Sequence, residues 1–337
     1  MVKIAVIPGD GIGPEIINAT LRVLNSLNLD LEYEFFHIGY GRLRKTGEAV
    51  SDDDIEAIKE IGIALMGPVT TPKPSEAKKY RSPVLTLRRE LDLYVNLRPV
   101  KNLPNIPRAR KNVDIVIVRE NVEGLYYGVE KEINDGYSAL LVVTKKNTER
   151  LAEFTFKYAR GHGRRKVTVV HKANILRKTH GLFLRTCLNV AKKYPEIKVE
   201  EMHVDTASML MVLKPENFDI IVTTNMFGDI LSGIGSALIG SPGLMPSANI
   251  GDKYAIFAPA HGSAPDIAGK NIANPIAMML SAKMMLEKIG FPSEAGKIEE
   301  AIVKTLKANI KTPDIGGKYS TTEFTNAVIR FLRERSN

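Results

Sequence analysis

Short apolar runs bounded by Gly, Pro, Asn or Asp alternate along this chain with stretches of helical periodicity, and that alternation restricts the fold more than any other feature. The runs are Ile4–Ile7, Ile61–Met66, Val113–Val118, Val167–Val170 and Phe218–Thr223. Runs this short, set between turn formers, read as buried strands. Strands separated by helices predict an α/β fold, a large and mostly parallel sheet flanked by helices. At 337 residues the chain has the length of roughly two domains of ~150 residues each.

Composition narrows the function. No run approaches the ~20 apolar residues that cross a bilayer, and the strand-like start Met1–Pro8 does not read as a signal peptide, so a cytoplasmic protein without a membrane partner is expected. The single cysteine, Cys187, excludes an intrachain disulfide, a cysteine zinc site and an iron–sulfur cluster held by this chain alone. A metal must then have oxygen or nitrogen ligands. The formal charge of +9 favours anionic partners. Scattered basic residues, few aromatics and the lack of a zinc-finger or RRM signature argue against nucleic acid.

Gly9, Gly11 and Gly13 follow the first strand with spacing G-x-G-x-G, not the G-x-G-x-x-G of a dinucleotide-binding turn. No acidic residue closes the next predicted strand near Leu31–His37, so the usual NAD fingerprint fails. A tight strand-to-helix turn needing positive φ explains these glycines without a ligand. Between Tyr126 and Thr144, two strand-like runs flank Asn134-Asp135-Gly136, a hairpin signal. A two-stranded ribbon is marginal alone, so it is expected to pack on something, such as a second copy of the chain.

Ser82-Pro83 reads as an N-cap with Pro at N1, opening a helix that carries Arg88 and Arg89. Arg98 lies just beyond, and Arg119 ends the run Val113–Val118. Converging guanidinia suit a di- or tricarboxylate, whereas each arginine taken singly is explained by an exposed acid such as Glu90 or Asp92. Asp205 and Asp229 each follow a strand-like run. They are candidate ligands for Mg²⁺ or Mn²⁺, and helix capping explains either one equally well. Lys172 ends another strand and is a candidate general base or proton relay; Tyr126 is a candidate proton donor.

Together these segments resemble the β-hydroxyacid oxidative decarboxylases, the isocitrate/isopropylmalate/homoisocitrate dehydrogenase family. The resemblance runs through Gly9–Glu15, Leu87-Arg88, Leu97–Pro99, Arg119–Asn121, Glu123–Tyr126, His171–Asn174, Gly228–Ser232, His261–Gly269, Ala273–Pro275 and Thr312–Asp314, in order over nearly the whole chain. It implies an isopropylmalate dehydrogenase-like fold with a non-Rossmann NAD site. Residues 1–98 and 252–337 would form a large cofactor-side domain, and 99–251 a smaller dimerisation domain with a hairpin arm near 126–144. The assembly implied is a homodimer, or a tetramer of such dimers, with active sites shared between subunits.

By position, the resemblance assigns Arg88, Arg98, Arg119 and Asn174 to the substrate, with Arg81 and Ser82 reading its variable arm. It assigns Asp229, with Asp205 of the other subunit, to the metal, and Tyr126 with Lys172, which would also cross the interface, to proton transfer, so that a monomer would be inactive. Ile12, His261, Gly262, Ser263, Ala264, Asp266, Ile267 and Asn274 would line the cofactor site. A carboxylate at Asp266 would repel a 2′-phosphate, so NAD is expected over NADP. The reaction implied is oxidation and decarboxylation of a 3-substituted malate.

Ser82-Pro83-Val84-Leu85 beside Arg81 looks most like homoisocitrate dehydrogenases, placing the chain in lysine biosynthesis. With Arg81 in solvent, the remaining apolar pocket would suit 3-isopropylmalate and leucine biosynthesis; isocitrate is the other family substrate. Two departures stand out: Gly233 where the family usually has a second Asp, and Ala258 where it usually has Glu before the Pro-x-His-Gly run. These leave open a catalytically weak paralogue acting as a carboxylate-binding protein.

Overall fold

The computed structural model describes residues 1–73 and 80–334. Its strands are β1 (Val2–Ile7), β2 (Leu31–Phe35), β3 (Ile63–Met66), β4 (Val95–Lys101), β5 (Asp114–Glu120), β6 (Glu130–Ile133), β7 (Gly136–Ala139), β8 (Lys166–His171), β9 (Lys198–His203), β10 (Ile220–Thr223), β11 (Pro246–Ile250) and β12 (Ala255–Pro259). Two compact units divide the chain: Met1–Asp92 with Leu103–Ala109 and Ile239–Asn337, and Leu93–Asn102 with Arg110–Leu238.

In the first unit the strands run β2-β1-β3-β12-β11. All neighbours are parallel except β11, antiparallel to β12. Ile4 to Ile7 of β1 are fully buried, as expected of a strand covered on both faces. In the second unit the order is β4-β5-β10-β8-β9, with only the β4 pairing antiparallel. Helices flank both sets of strands, giving the expected α/β architecture.

The unit boundaries fall elsewhere than the expected 98/99 and 251/252. Residue 98 lies in the middle of β4, whose ladder with β5 runs unbroken from Val95↔Glu120 to Lys101↔Asp114. Residues 246–250 belong with the first unit, because β11 pairs with β12 from Pro246↔Pro259 onward.

The glycine turn is consumed by chain packing. Gly9 and Gly11 have φ of +73° and +59°. A Cβ on Gly11 would lie 2.0 Å from the Ser263 carbonyl oxygen, and one on Gly13 2.2 Å from that of Pro8. The Asp10 carboxylate accepts the backbone N–H groups of Tyr40, Gly41 and Thr70 at 2.8–3.0 Å, fixing the turn from its other side.

The hairpin forms as β6 and β7, with Ile133 opposite Gly136. Its turn residues are therefore Asn134-Asp135, within the expected Asn134-Asp135-Gly136. Ile133 and Tyr137 on the ribbon are exposed. Among the described residues, no helix is long and apolar enough to cross a membrane.

Candidate active site

In the second unit, β4 and β5 pack against the helix Asn225–Leu238. Arg98, in β4, and Arg119, near the end of β5, are 6% and 1% exposed. Both guanidinia meet Asp229, one turn into that helix. Arg98 Nη1 lies 3.2 Å from Asp229 Oδ1, which also accepts from Arg119 Nη1. The Tyr126 hydroxyl donates to Asp229 Oδ2 at 2.5 Å, and the Arg119 guanidinium carbon lies 5.0 Å from the Tyr126 ring centre.

This is a carboxylate seated between two buried cations and a phenol. Burial alone would raise the Asp229 pKa, but Arg119, the Tyr126 hydrogen bond and Arg98 outweigh it and hold it below the usual range. Burial, then the charge of Arg119, lowers Arg98 to about 10, so it stays cationic at neutral pH. Burial and the hydrogen bond to Asp229 raise Tyr126, keeping its phenol protonated.

Lys172 follows β8 and donates from Nζ to Asp205 Oδ1 at 2.6 Å. Asp205 is largely exposed, in the first turn of the helix Val204–Leu213. The hydrogen bond from Lys172 holds its carboxyl below the ordinary range. Two buried histidines fix the Lys172 backbone: His180 Nδ1 accepts the Lys172 N–H at 3.1 Å, and His171 Nδ1 accepts that of Ala173 at 3.0 Å. Asn174 is exposed in the following turn.

Sequence reasoning passed over Glu120 and Glu123. Glu120 accepts the backbone N–H groups of Val122 and Glu123 at 2.8–3.0 Å. Glu123 accepts from the Thr144 backbone and hydroxyl at 2.9 and 2.7 Å, fastening the chain after the hairpin. Burial pushes Glu120 up to about 7. A carboxyl raised in the folded state stabilises the protein fully below the unfolded pKa near 4.5 and loses that contribution as pH rises through about 7. Glu120→Gln is therefore expected to melt a few degrees above wild type at pH 8 and to lose that advantage at pH 5. Equal melting differences at both pH values would refute the assignment.

In the first unit, Ser82 caps the helix Pro83–Glu90 as expected, accepting the Leu85 N–H. Arg88 donates from Nε to Asn249 Oδ1 at 3.2 Å. Arg81 pairs at 2.6 Å with Asp52 and at 3.8 Å with Glu90. The Ile12 N–H donates to the Ser263 carbonyl at 2.9 Å, and the Ser263 hydroxyl lies 2.7 Å from that of Thr70. His261 Nδ1 meets the Gly262 carbonyl at 2.9 Å, while its buried Nε2 has no hydrogen-bond partner among the described residues. Ala264 takes a left-handed φ of +38°. Asp266 is exposed in a turn with Ile267, and Asn274 is tied to Asp314 at 3.0 Å. Ile12 and the segment 261–274 thus meet in one unit, although they are far apart in sequence.

Among the described residues, no three His, Cys, Asp or Glu side chains gather as a metal site. Asp205 and Asp229 carry hard carboxylate oxygens of the kind Mg²⁺ or Mn²⁺ takes, the first bound to Lys172 and the second to Arg98, Arg119 and Tyr126.

A family model described as isocitrate/isopropylmalate dehydrogenase matches residues 3–328. The chain belongs to that family. It is 46% identical over 332 residues to a 3-isopropylmalate dehydrogenase of Methanothermobacter thermautotrophicus, covering 98% of this chain and 99% of that protein. A homoisocitrate dehydrogenase of Methanocaldococcus jannaschii is also 46% identical, over 347 residues and 99% of each. The crystal structure of isocitrate dehydrogenase from Methylococcus capsulatus is 42% identical and matches with a TM-score of 0.95, over 99% of this chain and 100% of that one. This family member is an oxidatively decarboxylating dehydrogenase of 3-substituted malates. The family's dehydrogenases generally use NAD or NADP with a divalent metal and are generally oligomeric.

Proposed function

We propose that the chain is an NAD-dependent dehydrogenase converting homoisocitrate to 2-oxoadipate, in lysine biosynthesis. The observation that carries the reaction is the pair of buried guanidinia, Arg98 and Arg119, closing on one carboxylate with the Tyr126 phenol at its other oxygen. Such a pocket binds a carboxylate and has a proton donor beside it. Arg88, Arg98, Arg119 and Asn174 hold the malate unit. Lys172 takes the proton from the C2 hydroxyl, and Tyr126 delivers one to the carbon that loses carbon dioxide.

NAD⁺ would be held by Ile12, His261–Ala264, Asp266, Ile267 and Asn274, and would supply the hydride acceptor. Mg²⁺ or Mn²⁺ would be held by Asp229 together with Asp205 of the partner subunit, and would supply polarisation of the keto oxygen. The exposed Asp266 carboxylate supports NAD over NADP.

On the helix Pro83–Glu90 the three- and four-residue spacing puts Val84, Leu85 and Arg88 on one face, and Arg81 lies just ahead of the Ser82 cap. Arg81 is bound to Asp52 only by a half-exposed ion pair, an interaction worth ~0–1 kcal/mol, so a substrate carboxylate arm can take its place. The same pair favours a second reading. If Arg81 stays with Asp52, half-buried Val84 and Leu85 offer an apolar pocket for 3-isopropylmalate.

Comparing kcat/KM for homoisocitrate, 3-isopropylmalate, isocitrate and D-malate with NAD⁺ and Mg²⁺ separates these readings. Preference for homoisocitrate that Arg81→Ala abolishes supports the first; preference for isopropylmalate that survives it overturns the first in favour of the second. No turnover of any of them would leave a carboxylate-binding paralogue.

A homodimer, alone or paired into a tetramer, is part of the proposal. Met209, Val212 and Leu213 of the helix Val204–Leu213 are about half exposed, as is Ile230 one residue from Asp229. An apolar surface of this kind suits a second copy.

Gly233 lies one helical turn beyond Asp229, is exposed, and a Cβ there would meet nothing within 4 Å. Gly233→Asp is therefore expected to fold normally and to tighten Mn²⁺ binding about tenfold or more in the substrate complex. Titration calorimetry checks this, and unchanged affinity would count against Asp229 as a metal ligand.

A further inference from the structure

The polar environment of Arg119 is built mainly by one residue with no part in the chemistry. Arg119 Nε and Nη2 both donate to Oδ1 of Asn225, at 3.0 and 2.7 Å. Asn225 opens the helix Asn225–Leu238 and is fully buried. Its Nδ2 donates to the Glu123 carbonyl at 3.1 Å, which fixes the amide's orientation. Flipping the amide would set N–H against guanidinium and oxygen against carbonyl, so only one orientation satisfies both neighbours. Gly228, one turn on, leaves room for the Arg119 stem, and a Cβ on Gly124 would crowd Asn225 Cβ at 3.2 Å.

We propose that Asn225 is a positioning residue for Arg119, and that its neutrality keeps the charge of Arg119 available to the substrate. The proposal rests on the reading of Arg119 as a substrate-binding residue. Among the described residues the two guanidinia share the single carboxylate of Asp229 as ion-pair partner, one positive charge in excess of it in a buried site. That residual charge is what a dicarboxylate finds there. A neutral acceptor aims one edge of the guanidinium without cancelling it. An aspartate of the same shape would cancel the charge and turn a carboxylate oxygen toward the Glu123 carbonyl.

The test compares Asn225→Asp, Asn225→Ser and Arg119→Lys in the full chain, with NAD⁺ and Mg²⁺, using whichever of the four malates turns over best. Malonate affinity of the metal-free protein is measured alongside by calorimetry. Asn225→Asp is expected to raise KM for the malate and weaken malonate binding by roughly tenfold to a hundredfold, leaving KM for NAD⁺ unchanged. Asn225→Ser keeps a neutral oxygen and should recover most of the loss in malonate affinity. Should Asn225→Asp fail to fold, Asn225→Ser is expected to shift malate KM severalfold with kcat nearly intact; a change in kcat alone would overturn the proposal. If Arg119→Lys raises malate KM while Asn225→Asp folds and does not, the positioning role is wrong and the functional reading stands. If none of the three alters malate or malonate binding, the functional reading itself falls.

Discussion

Lys172→Ala is expected to lower kcat by about 10²–10⁴-fold while KM for NAD⁺ stays within about twofold. The reason lies in how completely the structure commits this side chain. Its backbone N–H is tied to His180 Nδ1 at 3.1 Å and the next N–H to His171 Nδ1, so the residue starts from a fixed point. Its Nζ reaches Asp205 at 2.6 Å, with the side chain only about a quarter exposed. A merely structural lysine in a half-exposed ion pair would cost ~0–1 kcal/mol of stability and no chemistry. Steady-state kinetics in the presence and absence of added methylamine decide: a large kcat loss partly restored by the amine supports proton transfer, and a loss below tenfold would sink it.

The two histidines add a pH dependence of known sign. Each accepts through Nδ1 only while neutral. Burial lowers both, His180 to about 4. A lowered pKa means the unfolded chain takes the proton first, so the stabilisation from His180 is full above about pH 6.5 and is lost as pH falls toward 4. The tether on Lys172 therefore holds throughout the neutral range.

Much of the site could be read from local sequence because its signals are local. Ser82-Pro83 is a cap and a first helical residue, and it caps the helix Pro83–Glu90. Gly9 and Gly11 need positive φ and have it. Arg119 closes an apolar run, and β5 delivers it to the site. What stayed hidden depends on contacts across long stretches of chain. Asn225 meets Arg119 across 106 residues, and nothing in Thr224-Asn225-Met226 distinguishes it from an ordinary helix start. Pro99 obscured β4, because a proline speaks against a strand interior. Asp229 was expected at a strand end but lies a turn into a helix, since Asn225 already begins that helix. Arg81 looked free to meet substrate, yet its partner Asp52 lies 29 residues upstream.

Gly228→Ala is expected to be the most disruptive single-methyl addition in this site. An ideal Cβ at 228 would lie 2.6 Å from both Cβ and Cγ of Arg119 and 3.1 Å from its Cδ. These atoms are the base of the side chain, not its flexible end, and Arg119 is 1% exposed, so the stem has no free space into which to swing. The alternative is for the helix Asn225–Leu238 to move, which would pull Asn225 and Asp229 away from the guanidinium they share. Overpacking of this kind costs about 1–3 kcal/mol of stability. Misplacing a substrate-binding group by an ångström costs about 10²-fold in rate. The variant should thus melt lower and lose roughly two orders of magnitude in kcat/KM for the malate, while fluorescence titration shows NADH binding unchanged. Gly233→Ala, on the same helix with nothing within 4 Å of the new methyl, is the matched control and should gain slightly in stability. Comparable losses in the two variants would show that the helix tolerates no substitution at all, and the specific conflict between Gly228 and Arg119 would have to be abandoned.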